Sequence, residues 1–374
     1  MNQQENKDIK NYVRYSDEIE VKQPNEDEDS RAVVESMARV NKIMFERYRH
    51  AVRDAHAKNH GILRGELEIY DNLPEHLAQG LFKKPQKYPV IIRFSTAPGM
   101  IEPDKKSSQR GMAIKIIGVE GEKFLDEDRD ALTQDFLLVN YPIIPTGTVK
   151  DYLDQQKKVE EYINTPELFQ SVQGAMLVAG RKFKNLIGKE EDPNHFSIPG
   201  SHILGDRYFS MAAIRYGDYV AKISIAPKSE NVAILHGKDM DEELIKNEPE
   251  SFLTTIVKNF FENQTAVYEL SAQLCTDLEK MPVEDGSVQW MEDDSPFQAI
   301  ASLTISPQNT FSPERRVYGD DVLSFNPFHC LPDHRPLGNI MRVRKLAYET
   351  SSKYRHHMNA APRVEPISID ELPD

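Results

Sequence analysis

Short apolar runs separated by turn residues are the feature that most limits how this chain can fold. Each run is rich in Val, Ile, Phe and Tyr, residues that favour β-strands. The first runs are ELEIY (66–70), PVIIRFST (89–96), MAIKIIGV (112–119) and DFLLVNY (135–141), and others follow in 207–227, AVYELSAQLC and FQAIASLTI. The pattern predicts a sheet of several strands.

Helical spacing appears around these strands. After Ser30, a suitable N-cap residue, apolar side chains recur every three or four positions from Val33 to Val52. Further helices are predicted over 148–190, 241–263 and 338–359. Pro249 must start or kink part of the second of these, because proline cannot donate a helical hydrogen bond. Strands with helices grouped between them indicate an α+β fold.

The chain divides into three parts by composition. Residues 1–29 are polar and acidic, and we expect them to form an N-terminal arm. We expect one domain over residues 30–360 and an irregular tail over the Pro-rich residues 361–374. The arm lacks the apolar region of an export signal, and no apolar stretch approaches the ~20 residues that span a bilayer. We therefore expect a cytoplasmic protein without a membrane span.

Charge and cysteine content exclude several functions. The formal net charge is −14, so the chain lacks the positive field that binds phosphate backbones, and we expect no nucleic-acid partner. Cys275 and Cys330 are its only cysteines, too few for a disulfide framework or a thiolate metal cluster. The common nucleotide, zinc-protease and serine-hydrolase motifs are also absent.

One pair of residues indicates a specific chemistry. Arg344 and Tyr348 lie four residues apart in a predicted helix and so share a face, and Arg355 follows two turns later. A guanidinium beside a phenol favours the phenolate, a hard anionic ligand suited to ferric iron. On spacing alone, an ordinary exposed helix contact is the favoured explanation of the pair.

Longer segments resemble the haem catalases, and they occur in that family's order. The segments are RDAHAKNHGILRGELE, IIRFSTAPG, QRGMAIKI and FNPFHCLPDHRPLGNIMRVRKLAY. With the intervening strands, the resemblance covers most of 30–360. It implies a catalase-like antiparallel β-barrel with flanking helices and haem b as the cofactor.

The resemblance also implies roles for single residues. His56 matches the distal acid–base histidine, and Ser95 matches the serine that orients its ring. Tyr348 matches the axial ligand of the haem iron, and Arg344 the arginine beside it. The arginines that match those pairing with haem propionates are Arg53, Arg93 and Arg355.

Two departures from the family limit what the resemblance implies. The family's distal asparagine lies in an NxPxFF segment, whereas the matching stretch here is TQDFLLVNYP. We expect Thr133 at the asparagine position, with Gln134 beside it and Leu137 and Leu138 in place of the aromatic pair. Only 26 residues follow Tyr348, so we expect a catalase-like core without the C-terminal helical domain of ordinary catalases.

A minimal core of this kind resembles the small catalase-related peroxidases and, in scale, the coral allene oxide synthase. The latter has a threonine before its distal histidine, where this chain has Ala55. We expect a haem peroxidase that removes peroxide with weak to moderate catalase activity. A lipid or organic hydroperoxide enzyme of the allene oxide synthase type and a non-catalytic haem-binding protein are the alternatives. The expected partner is a small hydroperoxide substrate, and assembly into a homo-oligomer is left open.

Overall fold

A computed structural model describes residues 11–106, 108–165, 201–238 and 240–374. Most of the predicted helical stretch 148–190 lies outside these ranges, and only its first part, a helix ending at Asn164, is described.

The predicted strands form one antiparallel sheet that closes on itself. The ring has the spatial order β5-β4-β3-β2-β1-β9-β8-β7, and it closes because β5 also pairs with β7. Strand β6 pairs with β7. The strands are β1 (Lys58–Ile69), β2 (Lys87–Thr96), β3 (Arg110–Ile117), β4 (Thr133–Val139), β5 (Tyr208–Phe209), β6 (Ile214–Tyr216), β7 (Tyr219–Pro227), β8 (Ala266–Leu274) and β9 (Gln298–Ile305). The predicted α+β antiparallel barrel is therefore confirmed.

Successive strand residues face opposite sides of the barrel wall. One side supplies the main core and includes Phe94, Met112 and Leu138. The other side carries Ser95 and Gly111, which lie directly opposite each other on β2 and β3. Ser95, a residue of the predicted site, is thus on the outer side of the wall, away from the main core.

Helices flank the barrel. They are α1 (Glu26–Tyr48), α2 (Val149–Asn164), α3 (Glu230–Ala233), α4 (Glu242–Asn247), α5 (Phe252–Phe261), α6 (Pro313–Val317) and α7 (Asn339–Met358). Helices α1, α2 and α7 share an apolar cluster that contains Val33, Leu153 and Val343. Pro249 separates α4 from α5, as its missing N–H requires. No helix of the described ranges is long and apolar enough to cross a bilayer.

Both ends of the described chain are attached to the domain. Helix α1 begins at Glu26 rather than after Ser30, and the Glu26 carboxylate accepts hydrogen bonds from the Arg342 guanidinium at 2.6 and 2.8 Å. The tail is irregular as far as a short 3₁₀ turn at Ile369–Glu371. Its Leu372 is fully buried. The part of the predicted arm from residue 11 onward therefore packs on the barrel.

A buried ionic cluster fixes the tail to the outer face of the wall. Lys115 Nζ lies 2.8 Å from the Asp135 carboxylate and 2.6 Å from that of Glu365 in the tail. The side chain of Lys115 has no solvent exposure. Although burial alone would lower the pKa of Lys115, Asp135 and Glu365 raise it, so the ammonium form is retained.

We predict that Lys115→Met destabilises the fold by about 3–5 kcal/mol, because two buried carboxylates lose their counter-charge. Lys87→Met is the matched control, since Lys87 pairs with Glu66 at the surface and such pairs contribute below about 1 kcal/mol. Urea unfolding measures both free energies. Equal losses in the two variants would contradict a structural role for the buried cluster.

Candidate active site

His56 lies immediately before β1 in a constrained backbone conformation. Its φ of 54° is in the left-handed region, which is uncommon for residues other than glycine. The backbone N–H donates to the Ala97 carbonyl at 2.9 Å and holds this conformation. Nδ1 of the ring lies 3.0 Å from Ser95 Oγ on β2. The structure thus brings His56 and Ser95 together as the sequence predicted.

Gly111 on β3 is the residue that makes room for the histidine. A Cβ atom at this position would lie 2.7 Å from His56 Nδ1 and 2.9 Å from Ser95 Oγ, closer than real Cβ contacts. Only glycine therefore allows the imidazole to pack on the barrel wall. The motif QRGMAIKI contains this glycine, but its role depends on the pairing of β2 with β3, which the motif does not show.

The environment of His56 keeps its ring neutral. Burial lowers the pKa of His56 to about 3, and the nearby Arg93 and Arg344 guanidiniums act in the same direction. When Nδ1 donates to Ser95, the lone pair on Nε2 is free to accept a proton. The site therefore contains an oriented neutral base.

Tyr348 and Arg344 form the expected pair on α7. Arg344 Nη2 donates to the Tyr348 hydroxyl oxygen at 2.8 Å. Burial lowers the pKa of Arg344, but attraction to the tyrosine oxygen outweighs it, so the net shift is upward. A charge-assisted hydrogen bond of this kind fixes the position of the Tyr348 oxygen.

Three arginines converge on the turn that follows α6. Arg53 Nη2 and Arg355 Nη2 donate to the Leu323 carbonyl at 2.8 and 3.0 Å. Arg53 Nη1 and Arg93 Nη2 lie 3.4 and 3.3 Å from one carboxylate oxygen of Asp320. The arginines that the sequence predicted to act together are therefore neighbours.

The cluster has more positive charge than this carboxylate balances. Burial and repulsion from the other arginines lower the pKa of Arg53 well below its usual range. Burial first, and then Arg93, lowers the pKa of Arg355 to about 10. Arg93 Nε is buried and has no hydrogen-bond partner among the described residues. Anionic oxygens placed here would relieve both the repulsion and the unpaired donor.

Members of both groups line one cavity. It has a volume of about 280 Å³, and its lining includes Tyr348 together with Arg53 and Arg355. A tyrosine oxygen for iron and guanidiniums for carboxylates thus line one space. This donor set fits a haem with its propionates. No group of three or more His, Cys, Asp or Glu side chains in the described ranges could hold a metal ion by itself.

Thr133 lies far from His56, at the other end of β4. It begins β4 opposite Ile117, whereas the β4 residue opposite Gly111 is Val139. Six residues of strand correspond to about 20 Å. The Thr133 hydroxyl donates to Glu365 at 2.8 Å in the buried ionic cluster. The structure therefore does not bring Thr133 to His56, because strand register places it at the far end of β4.

The neighbouring wall positions are apolar. Ala113 lies opposite Arg93 on β2 and Leu137 on β4, and these three share the outer face with Gly111. Leu137 packs in an apolar cluster that also contains Leu323. The β3–β4 part of the wall beside His56 therefore presents Ala113, Leu137 and Val139 and no side-chain hydrogen-bond donor.

Comparison with known proteins gives structural but no sequence matches. No family model matches the chain, and no curated protein matches it. Among solved structures, a fungal catalase superposes with a TM-score of 0.57 and 17% identity, over 88% of this chain and 67% of the catalase. A bacterial catalase gives 0.55 and 17%, over 83% and 59%.

Catalase A from Saccharomyces cerevisiae gives a TM-score of 0.53 and 14% identity, over 88% of this chain and 69% of that one. The chain thus spans roughly two thirds of the length of these catalases. Similarity at this level of identity establishes architecture, and the closed antiparallel barrel with its flanking helices is the fold of the catalases.

Proposed function

We propose that this chain is a haem-dependent oxidoreductase that processes hydroperoxides. The observation that carries the proposal is the oriented neutral base His56, found in the same fold as a Tyr348–Arg344 pair. A non-catalytic haem carrier has no need for an imidazole whose ring nitrogen is held by Ser95 and whose position requires Gly111.

In this proposal the Tyr348 oxygen would hold the iron of haem b, and Arg53, Arg93 and Arg355 would pair with its propionates. When bound, the haem would supply the redox chemistry for a hydroperoxide. His56 Nε2 accepts the proton of the hydroperoxide and returns it to the departing oxygen, while Ser95 holds Nδ1. Acid–base catalysis by one positioned residue contributes about 10²–10⁴-fold.

We predict that Tyr348→Phe largely abolishes stable haem loading, because it removes the ligand oxygen and keeps the ring. Haem content per chain and the Soret spectrum of the purified variant measure this. Tyr354→Phe, on the same helix outside the cavity lining, is the control and should load haem normally. A Tyr348→Phe protein with unchanged haem content and spectrum would exclude tyrosinate ligation.

We predict that His56→Ala retains haem but reacts with hydroperoxide slower by about 10²–10⁴-fold, the contribution of a positioned base. Because the pKa of His56 is lowered to about 3, the neutral base persists at pH 5, and the wild-type rate should not titrate near 6.5. Stopped-flow measurement between pH 5 and 8 tests both points. Wild-type rates in His56→Ala would refute the acid–base role.

We predict that Gly111→Ala lowers the same rate with little loss of haem, since the added methyl group displaces the imidazole from Ser95. The matched control is Gly65→Ala on β1, where an added Cβ crowds the Ile92 side chain at 2.8 Å and the Thr304 carbonyl at 2.9 Å instead of His56, and where the rate should change little. A Gly111→Ala enzyme with an unchanged rate constant would show that His56 does not need this packing.

Organic hydroperoxides are the second candidate substrate class, and the apolar wall favours them. Leu137 and Ala113 offer no hydrogen bond to a second peroxide oxygen, and a missing donor of this kind costs about 10²–10³ in rate. An alkyl group, by contrast, forms no hydrogen bonds and therefore loses no binding free energy when it packs against such a surface. We therefore propose weak disproportionation of hydrogen peroxide and better turnover of alkyl hydroperoxides.

We predict that Leu137→Asn raises oxygen evolution from hydrogen peroxide relative to turnover of an alkyl hydroperoxide, because the amide adds a donor on the face of Gly111. Thr133→Asn is the matched control and should not change the ratio, since Thr133 lies at the opposite end of the strand. Rapid disproportionation by the wild type, comparable to that of catalases, would instead favour hydrogen peroxide as the substrate.

A further inference from the structure

A second cavity lies beside the candidate active site. Its volume is about 470 Å³, and it is bounded by the chain between α1 and β1 and by residues 311–321 around α6. Arg53 lines both this cavity and the one that contains Tyr348. The volume is within the range of about 300–1,000 Å³ that is typical of small-molecule sites.

Much of the lining is apolar, and some of it is unusually exposed. Val317 is 57% exposed and Ile101 is 45% exposed, although both are large aliphatic residues. Val52, Ala57 and Phe311 continue the apolar surface inward. A concave surface of this kind gains free energy when an alkyl or aryl group covers it.

The two carboxylates of the lining have partners, whereas one of its two arginines has none in the described part of the chain. Asp321 Oδ1 lies 2.7 Å from His50 Nε2, and Asp320 Oδ1 lies 3.4 Å from Arg53 Nη1. Arg316 is exposed, and its guanidinium has no partner among the described residues. In a chain of net charge −14, a free guanidinium beside an apolar cavity selects an anionic oxygen group, which it can bind through two parallel N–H groups.

We propose that this cavity binds an amphipathic organic anion: a carboxylate whose alkyl or aryl body covers Val317, Ile101 and Phe311 and whose head group meets Arg316. The site adjoins the one proposed for haem at Arg53 but uses Arg316 for the anion, and binding requires no redox step. Its failure would leave the proposed hydroperoxide chemistry untouched.

Isothermal titration calorimetry of the purified 374-residue chain with decanoate tests the proposal. We expect saturable binding of one decanoate per chain and much weaker binding of decyltrimethylammonium, which has the same chain length and the opposite charge. Arg316→Gln should weaken decanoate binding by about two- to fivefold, the contribution of an exposed ion pair.

Val317→Asp should weaken decanoate binding by at least about tenfold, because it places a carboxylate against the apolar body of the ligand. The matched control is Val159→Asp on α2, another exposed valine, which does not line the cavity and should bind as the wild type does. Absence of saturable binding, equal binding of the cation, or equal losses in the two aspartate variants would each overturn the proposal.

Discussion

The concentration of buried positive charge on one side of the barrel is the constraint on which the rest of the site depends. Arg53, Arg93 and Arg355 converge on the turn after α6, and Arg344 lies beside Tyr348 in the adjoining helix. Guanidiniums remain charged even where burial lowers their pKa, so the surrounding groups must adapt to them. Asp320 pairs with Arg93, the Tyr348 oxygen accepts a hydrogen bond from the charged Arg344, and His56 is neutral.

This arrangement suits His56 and Tyr348 to two different kinds of chemistry. His56 has a lowered pKa and is suited to accept a proton, whereas Tyr348 has a cationic donor and is suited to ligate a cation. Burial first and the positive charge second keep His56 neutral, and the same charge attracts anionic oxygen groups to the arginines.

The barrel wall supplies the rigidity that this electrostatics requires. Ser95 and Gly111 are paired residues of neighbouring strands, so their distance is fixed by backbone hydrogen bonds. Behind them, the ionic cluster of Lys115, Asp135 and Glu365 attaches the tail to the same face of the wall. Backbone hydrogen bonds between the strands and the ionic cluster of Lys115 thus stabilise the wall beside His56, while its surface at Ala113 and Leu137 is apolar.

Local signals in the sequence determined much of this protein. Strand runs and helical spacing predicted the strands and the shared helix face of Arg344 and Tyr348, because periodicity depends only on near neighbours. The catalase-like barrel and the roles expected of His56 and Ser95 were implied by the resemblance of longer segments to the haem catalases. Tertiary structure decided the rest. Strand register moved Thr133 to a buried ionic cluster far from His56, since pairing with β3 assigns each β4 residue its neighbours and no local pattern reveals them. The need for glycine at position 111, the neutrality of the histidine and the free charge of Arg316 beside a cavity arise from groups distant in the chain, and only folding brings these together.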